Sequence, residues 1–235
     1  MSTTRTNRPA LTAIPGTLCA PMVFDRMAQH LTEDVTVDPI DWLRSPGPWD
    51  IESISTAIAA RIGTTPTLVI GHSTGGAIAL HLAANHPGQV AGLIVVNSGA
   101  HMRGHGDVDA ILDRITNAWG NDLFEALMTR SFATPPTEAD LTALLNYAAT
   151  TSQQATLDVL RSQRDLDLTP LLPTIACPTT IIHGTLDQAR TTDHARELAK
   201  LIPNSTLRFV PTGHSPIYED AKAVAEEVRT LLNGT

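Results

Sequence analysis

Apolar residues fall along this chain in two rhythms. Short runs, Ala10 to Ile14, Val35 to Val37, Thr67 to Ile70, Gly92 to Val96, Thr179 to Ile182 and Thr206 to Val210, are bounded by Gly, Pro, Asp or Asn. Such runs read as buried strands. Between most of them, Pro21 to Leu31, Ile51 to Ile62, Gly75 to Asn85, Thr192 to Leu201 and Ala221 to Leu232 space their apolar residues at helical intervals. Strand and helix in alternation predict an α/β fold, a mostly parallel sheet of about six strands flanked by helices.

The rhythm changes once. From about Gly99 to Leu172 no strand pattern occurs, and apolar positions keep helical spacing: Val108, Ile111, Leu112, Ile115 and Trp119, then Leu123, Phe124, Leu127 and Met128, then Leu141, Leu144 and Leu145, then Leu157 and Leu160. Gly120-Asn121 and Pro135-Pro136 punctuate the series. The expected organisation is a core domain of residues 1–98 and 173–235, with residues 99–172 inserted between two strands as a helical cap. An independent helical domain is the weaker reading, because the segment is short and its flanks return to the sheet pattern.

Composition narrows the partners. The chain has 235 residues, 42% hydrophobic and 17% charged, with a formal net charge of -8, so there is enough chain for one sizeable core and no basic footprint for nucleic acid or an anionic membrane. Two cysteines, Cys19 and Cys177, do not make a disulfide framework in a domain of this size. The basic N-terminal residues lack a following apolar run, and no segment has transmembrane length. A cytoplasmic protein is the expectation; nothing in the sequence sets its oligomeric state.

Chemistry enters at Gly71-His72-Ser73-Thr74-Gly75, a G-x-S-x-G pentapeptide between an apolar strand and a helix. A sharp strand-to-helix turn strains the serine backbone and needs small residues two positions to either side, while the helix N-terminus favours nearby negative charge. A serine hydroxyl also needs a base, and the base an orienting acid. Asp187 follows the strand ending at Ile182, and His214 lies in the loop after the last strand, both at the edge where ligands sit in open α/β sheets. The expected catalytic set is therefore Ser73, Asp187 and His214, with Asp107 or Asp109 as less favoured acids and His72, His101, His105 and His183 as rival histidines near the same edge. A developing oxyanion needs two donors. The backbone N–H of Thr74 is one candidate, and that of Thr17, after the flexible Gly16, is the other, with Leu18 as a neighbour that can replace it.

With these residues in hand, the chain from about Leu11 to Leu232 resembles the α/β-hydrolase fold superfamily. The likeness rests on the Pro15-Gly16 loop, the Gly71-to-Gly76 turn, Gly184 to Asp187, and Gly213-His214-Ser215-Pro216 followed by Glu219-Asp220. It is closest in character to the short, capped serine hydrolases. That resemblance implies a cap governing substrate choice and no cofactor or metal. In one departure, Pro15 stands where many relatives carry histidine in the oxyanion loop.

The function expected is cleavage of a small-molecule ester, lactone or thioester through an acyl-enzyme. A lyase or carbon–carbon bond hydrolase on the same scaffold is the second reading, and a non-catalytic ligand receptor the third. Leu18, His72 and His101 are the expected substrate contacts. Apolar cap positions favour a neutral, partly hydrophobic small molecule; Arg103, Arg130 or Arg161 can instead clamp a carboxylate, although a solvated helix-face charge is the ordinary reading of each.

Overall fold

The computed structural model describes residues 8–234. Its six strands, β1 (Ala10–Ile14), β2 (Thr36–Pro39), β3 (Thr67–His72), β4 (Val90–Val96), β5 (Thr179–Gly184) and β6 (Ser205–Val210), form one sheet in the order β2-β1-β3-β4-β5-β6. Every neighbouring pair is parallel. The connecting helices are α1 (Asp25–His30), α2 (Ile51–Ile62), α3 (Thr74–Asn85), α8 (Thr192–Leu201), the short α9 (Pro216–Glu219) and α10 (Ala221–Gly234); between β4 and β5 lie α4 (Val108–Asn117), α5 (Asn121–Ser131), α6 (Glu138–Ala149) and α7 (Gln153–Asp165).

Strand pleating sorts the core into two layers, because successive side chains point to opposite faces. Ile14, Val69, Leu93, Val95 and Ile181 face α2, α3 and α8. Leu11, Ala13, Ile70, Ile94, Val96 and Ile182 face α1 and α10. Each fully buried aliphatic side chain contributes about 1.5–3 kcal/mol, so β3, β4 and β5, covered on both faces, anchor the sheet. The edge strand β6 alternates between half-buried and exposed residues instead.

Local chemistry sets the boundaries. Val35 was expected to open β2, but its N–H bonds back to the Leu31 carbonyl (3.0 Å) and closes the preceding turn, so the strand begins at Thr36. The expected helix from Pro21 to Leu31 starts as a 3-10 turn, Pro21–Phe24, before α1. Between β4 and β5, side-chain caps start three helices: Asp107 accepts from the N–H of Ala110, Thr137 from Asp140 and Ser152 from Ala155. The apolar faces of these helices merge with the sheet core, Leu112, Leu123 and Leu157 on one side and Met128, Leu144 and Tyr147 on the other. Both cysteines are free thiols, and no helix among the described residues is long and apolar enough to cross a membrane.

The strand order reverses once. From β1 the chain steps outward to β2, then returns to the other side of β1 and proceeds through β3 to β6. Loops leaving the carboxyl ends of β1 and β3 therefore diverge and open a crevice. Gly16, Thr17 and Ser73 all line it.

Candidate active site

The turn after β3 holds Ser73 at φ 55°, in the left-handed region that non-glycine residues rarely occupy. Close backbone packing maintains it. A Cβ at Gly71 would lie 2.3 Å from the Gly75 carbonyl oxygen, and one at Gly75 would lie 2.1 Å from that of Ile14, so both flanking positions exclude any side chain. The Ser73 N–H donates to the Val96 carbonyl (2.9 Å), and the Ser98 hydroxyl donates to the Ser73 carbonyl (2.7 Å). These bonds tie the strained residue to the end of β4.

The three residues expected to act together meet. His214 Nε2 lies 2.9 Å from Ser73 Oγ, and His214 Nδ1 lies 2.7 Å from Asp187 Oδ2. Burial pushes the Asp187 carboxyl upward, but the His214 ring and the backbone N–H groups of Ala189 and Arg190 outweigh burial and hold it well below the usual carboxylate range. An ionised acid in that place accepts the Nδ1 proton of His214 and leaves Nε2 free to accept from the serine hydroxyl.

Asn97 was not anticipated. Fully buried at the end of β4, with φ 46°, it donates to Asp187 Oδ2 (2.6 Å) and to the Gly213 carbonyl (3.2 Å), and accepts from the Gly184 N–H (3.0 Å). One amide thus joins the acid loop to the base loop. Its signal in the sequence was the polar Asn97-Ser98 pair directly after an apolar strand. Glu219 supports the base loop in the same way, accepting from the Gly213 N–H and from the N–H groups of Ala133 and Thr134.

The expected oxyanion donors sit on a hydroxyl chain. Thr17 Oγ1 donates to Thr74 Oγ1 (2.9 Å), which donates to Oε1 of the buried Gln163 (2.9 Å), so α7 braces both peptide units. Thr74 is the first residue of α3, where an N–H has no partner within its own helix.

The remaining expectations separate. Leu18 (φ 58°) and His72 line the chamber above Ser73. His72 does more than line it: Nε2 lies 2.7 Å from the His214 carbonyl and supports that loop from below. Burial pushes the His72 imidazole down to about 3, with the nearby His214 as a further cause, so it is the neutral Nε2–H tautomer that donates. The structure does not bring His101 to the chamber. It pairs with Glu197 (2.9 Å), and Met102 and His105 line the wall in its place; the chain turns after Ala100, and His101 points toward α8. Asp107 caps α4 and Asp109 pairs with Arg164, so neither serves as the acid. His183 lies buried against the Arg190 carbonyl. Arg103 and Arg161 pair with Asp167 and Asp158, whereas Arg130 does line the chamber.

That chamber has a volume of about 210 Å³. Ile111, Leu123, Leu127, Phe132 and Leu160 give it apolar walls, all from the segment between β4 and β5. No group of three or more His, Cys, Asp or Glu side chains among the described residues is placed to hold a metal ion.

Comparison with known proteins gives the site a context. A family model described as the alpha/beta hydrolase family matches residues 14–227. The pimeloyl-[acyl-carrier protein] methyl ester esterase of Chromobacterium violaceum is 26% identical over 229 residues, 88% of this chain and 89% of that protein. Lipase LipV of Mycobacterium tuberculosis is 41% identical over 90 residues, 35% of this chain and 34% of LipV. The crystal structure of the enol-lactonase from Burkholderia xenovorans LB400 superposes with a TM-score of 0.87 at 20% identity, covering 98% of this chain and 93% of that one. At that identity the likeness is one of fold.

Proposed function

Because the chain belongs to the alpha/beta hydrolase family and is a hydrolase, we propose that it cleaves a carboxylic ester of a small molecule through an acyl-enzyme on Ser73. The observation that carries this reading is the continuous path from Ser73 Oγ through His214 to Asp187, at 2.9 and 2.7 Å. The esterase among its relatives, similar along nearly its whole length, supports the same class of bond.

In the proposed reaction His214 Nε2 takes the hydroxyl proton as Ser73 Oγ attacks the ester carbonyl. Negative charge then develops on the carbonyl oxygen. The N–H groups of Thr74 and Thr17 receive it, aided by the positive end of α3. Collapse of the tetrahedral intermediate expels the alcohol with the proton from His214, and water, activated by the same imidazole, releases the acid. Asp187 keeps the ring in the required tautomer and stabilises its charged form. Residues 99–172 act as the cap: their apolar side chains form most of the wall against which the substrate rests, and they set its size.

A fluorophosphonate probe tests nucleophile and base together without a known substrate. Stoichiometric label on Ser73, lost in Ser73→Ala and in His214→Ala, is the expected result, followed by turnover within a panel of esters, lactones and thioesters. Folded protein that takes no label, or a Ser73→Ala variant that keeps most of the turnover, overturns the reading.

A further inference from the structure

We propose that the ester cleaved at Ser73 carries a carboxylate as a second group, held in the chamber by Arg130, His105 and Arg190. The inference rests on the hydrolase reading above and names its substrate class. It departs from the neutral substrate that the apolar cap pattern suggests.

The first observation is a contrast of charge. The chain holds 24 acidic residues against 16 Lys and Arg, yet among the described residues no Asp or Glu lines the chamber, while Arg114, Arg130 and Arg190 do. An acidic protein draws an anion into a cleft only through a local positive field, and these three guanidinium groups supply one. The other arginines between β4 and β5 each have a carboxylate partner, Arg103 with Asp167, Arg161 with Asp158 and Arg164 with Asp109. Those of the chamber wall have none among the described residues.

The second observation is Arg190 itself. It is 3% exposed. Its Nη1 donates to the His101 carbonyl (3.2 Å), its Nη2 meets Met102 Sδ (3.2 Å), and its Nε is buried without a partner among the described residues. A buried guanidinium satisfied by one carbonyl and one sulfur is costly unless an anion joins it. Among the described residues Asp187 is the only carboxylate whose charge favours its protonated form, and that group is already engaged by His214 and Asn97.

Geometry gathers the other groups around it. Arg130 extends from α5 to the Gln188 carbonyl (2.8 Å), next in sequence to Ala189 and Arg190, which line the chamber. Its planar fork has donors to spare for a carboxylate. His105 lines the same wall with a buried Nδ1 that lacks a partner among the described residues. Burial, then the positive charges of Arg190 and Arg130 among its neighbours, keep that ring uncharged. A carboxylate beside these groups would satisfy the Arg190 donors, and His105, once charged, could add its own. The aliphatic walls would accommodate the methylene chain between the two functional groups.

The test compares ethyl hexanoate with monoethyl adipate, in which a carboxylate replaces the terminal methyl, by pH-stat titration. The expected result is a kcat/KM at least about tenfold higher for the half-ester, expressed chiefly in KM and shrinking as salt is raised. Arg130 is exposed, so Arg130→Gln should fold; it is expected to remove most of that preference, and Arg130→Lys to restore part of it. Isothermal calorimetry on Ser73→Ala supplies a readout independent of turnover, with tighter binding of monoethyl adipate expected. Equal or weaker use of the half-ester, or a preference left unchanged in Arg130→Gln, overturns the carboxylate site and leaves the hydrolase reading standing. If Ser73 takes no probe and neither ester turns over, the hydrolase reading fails, and calorimetry alone decides whether the anion is bound.

Discussion

Around Ser73, backbone meets backbone; along the four helices between Val108 and Asp165, side chain meets side chain. At Gly71 an added methyl would have to displace the Gly75 carbonyl in the first turn of α3, and at Gly75 the Ile14 carbonyl at the end of β1. The helices instead rest on apolar faces and a few polar latches: the Tyr147 hydroxyl on Asp41 (2.6 Å), and Asp140 held by Arg26 (2.8 Å) and by the Tyr218 hydroxyl (2.6 Å). Contacts of the first kind allow a few tenths of an ångström, and those of the second kind re-pack when residues change. The proposed chemistry therefore sits where the fold is least compliant, and the walls that would select the substrate sit where it is most adaptable.

Gly75→Ala breaks this comparison hardest if it is tolerated. With the new Cβ aimed at the Ile14 carbonyl, we expect a loss of at least about 3 kcal/mol in urea unfolding and no measurable probe labelling. Thr129→Ala, on the exposed side of α5, should stay within about 0.5 kcal/mol. Similar values for the two would show that the turn yields after all. Asn97→Ala comes next. Removing an amide that joins Asp187, Gly184 and Gly213 leaves buried partners unsatisfied and frees the acid loop, so kcat should fall roughly tenfold to a hundredfold with a smaller change in KM. A change confined to KM would remove Asn97 from its role in positioning the acid.

The same contrast governs what could be read from the residues. Six apolar runs became six strands: β3, β4 and β5 because burial on both faces leaves an unbroken apolar run, and the others because their short runs end at Gly, Pro, Asp or Asn. Ser73, Asp187 and His214 were legible because each stands at the carboxyl end of a strand, and the two glycines of the turn mark it further. Asn97 was overlooked because its role depends on three loops converging, which no spacing along the chain records. His101 was placed in the chamber by its position after β4, yet the chain turns toward α8 and Glu197 takes it, with Met102 and His105 lining the wall instead. The walls of the chamber were hidden for a related reason. An apolar helix position packs on the sheet or faces a ligand with the same periodicity, and only the packed structure separates Leu112 from Ile111.

His72 sharpens the rigid side of the comparison through pH. Its imidazole, held down to about 3 by burial, stays neutral in the native state while the unfolded chain titrates near 6.5. Between these values the unfolded state binds the extra proton, so native stability is full above about pH 6.5 and declines as pH falls toward 3, by up to about 1.4 kcal/mol per pH unit from this group. Unfolding free energies from urea titrations at pH 7 and pH 5 should therefore differ by about 2 kcal/mol more in the wild type than in His72→Gln, whose amide can still donate to the His214 carbonyl. If both proteins lose the same stability, His72 is protonated in place and the turn is looser than its packing indicates.

Tyr147→Phe tests the adaptable side and carries the smallest expected effect. Tyr147 is buried near the C-terminal end of α6, and burial together with the Asp41 carboxylate pushes its pKa up, so it remains a donor at every working pH. Losing that bond should cost about 1 kcal/mol, because among the described residues Asp41 keeps only the distant Arg44 (3.9 Å) as an ionic partner. If the helices between β4 and β5 are loosely coupled to the turn, the rate of fluorophosphonate labelling at Ser73 should stay within about twofold of wild type, while KM for a long ester rises by up to about threefold. The bond from Thr74 Oγ1 to Gln163 is the route by which this separation can fail, since α7 reaches the residue after Ser73 directly. A tenfold loss of labelling in Tyr147→Phe would mean that a latch on α6 is felt through α7 at the nucleophile, and that the two regions form one mechanical unit.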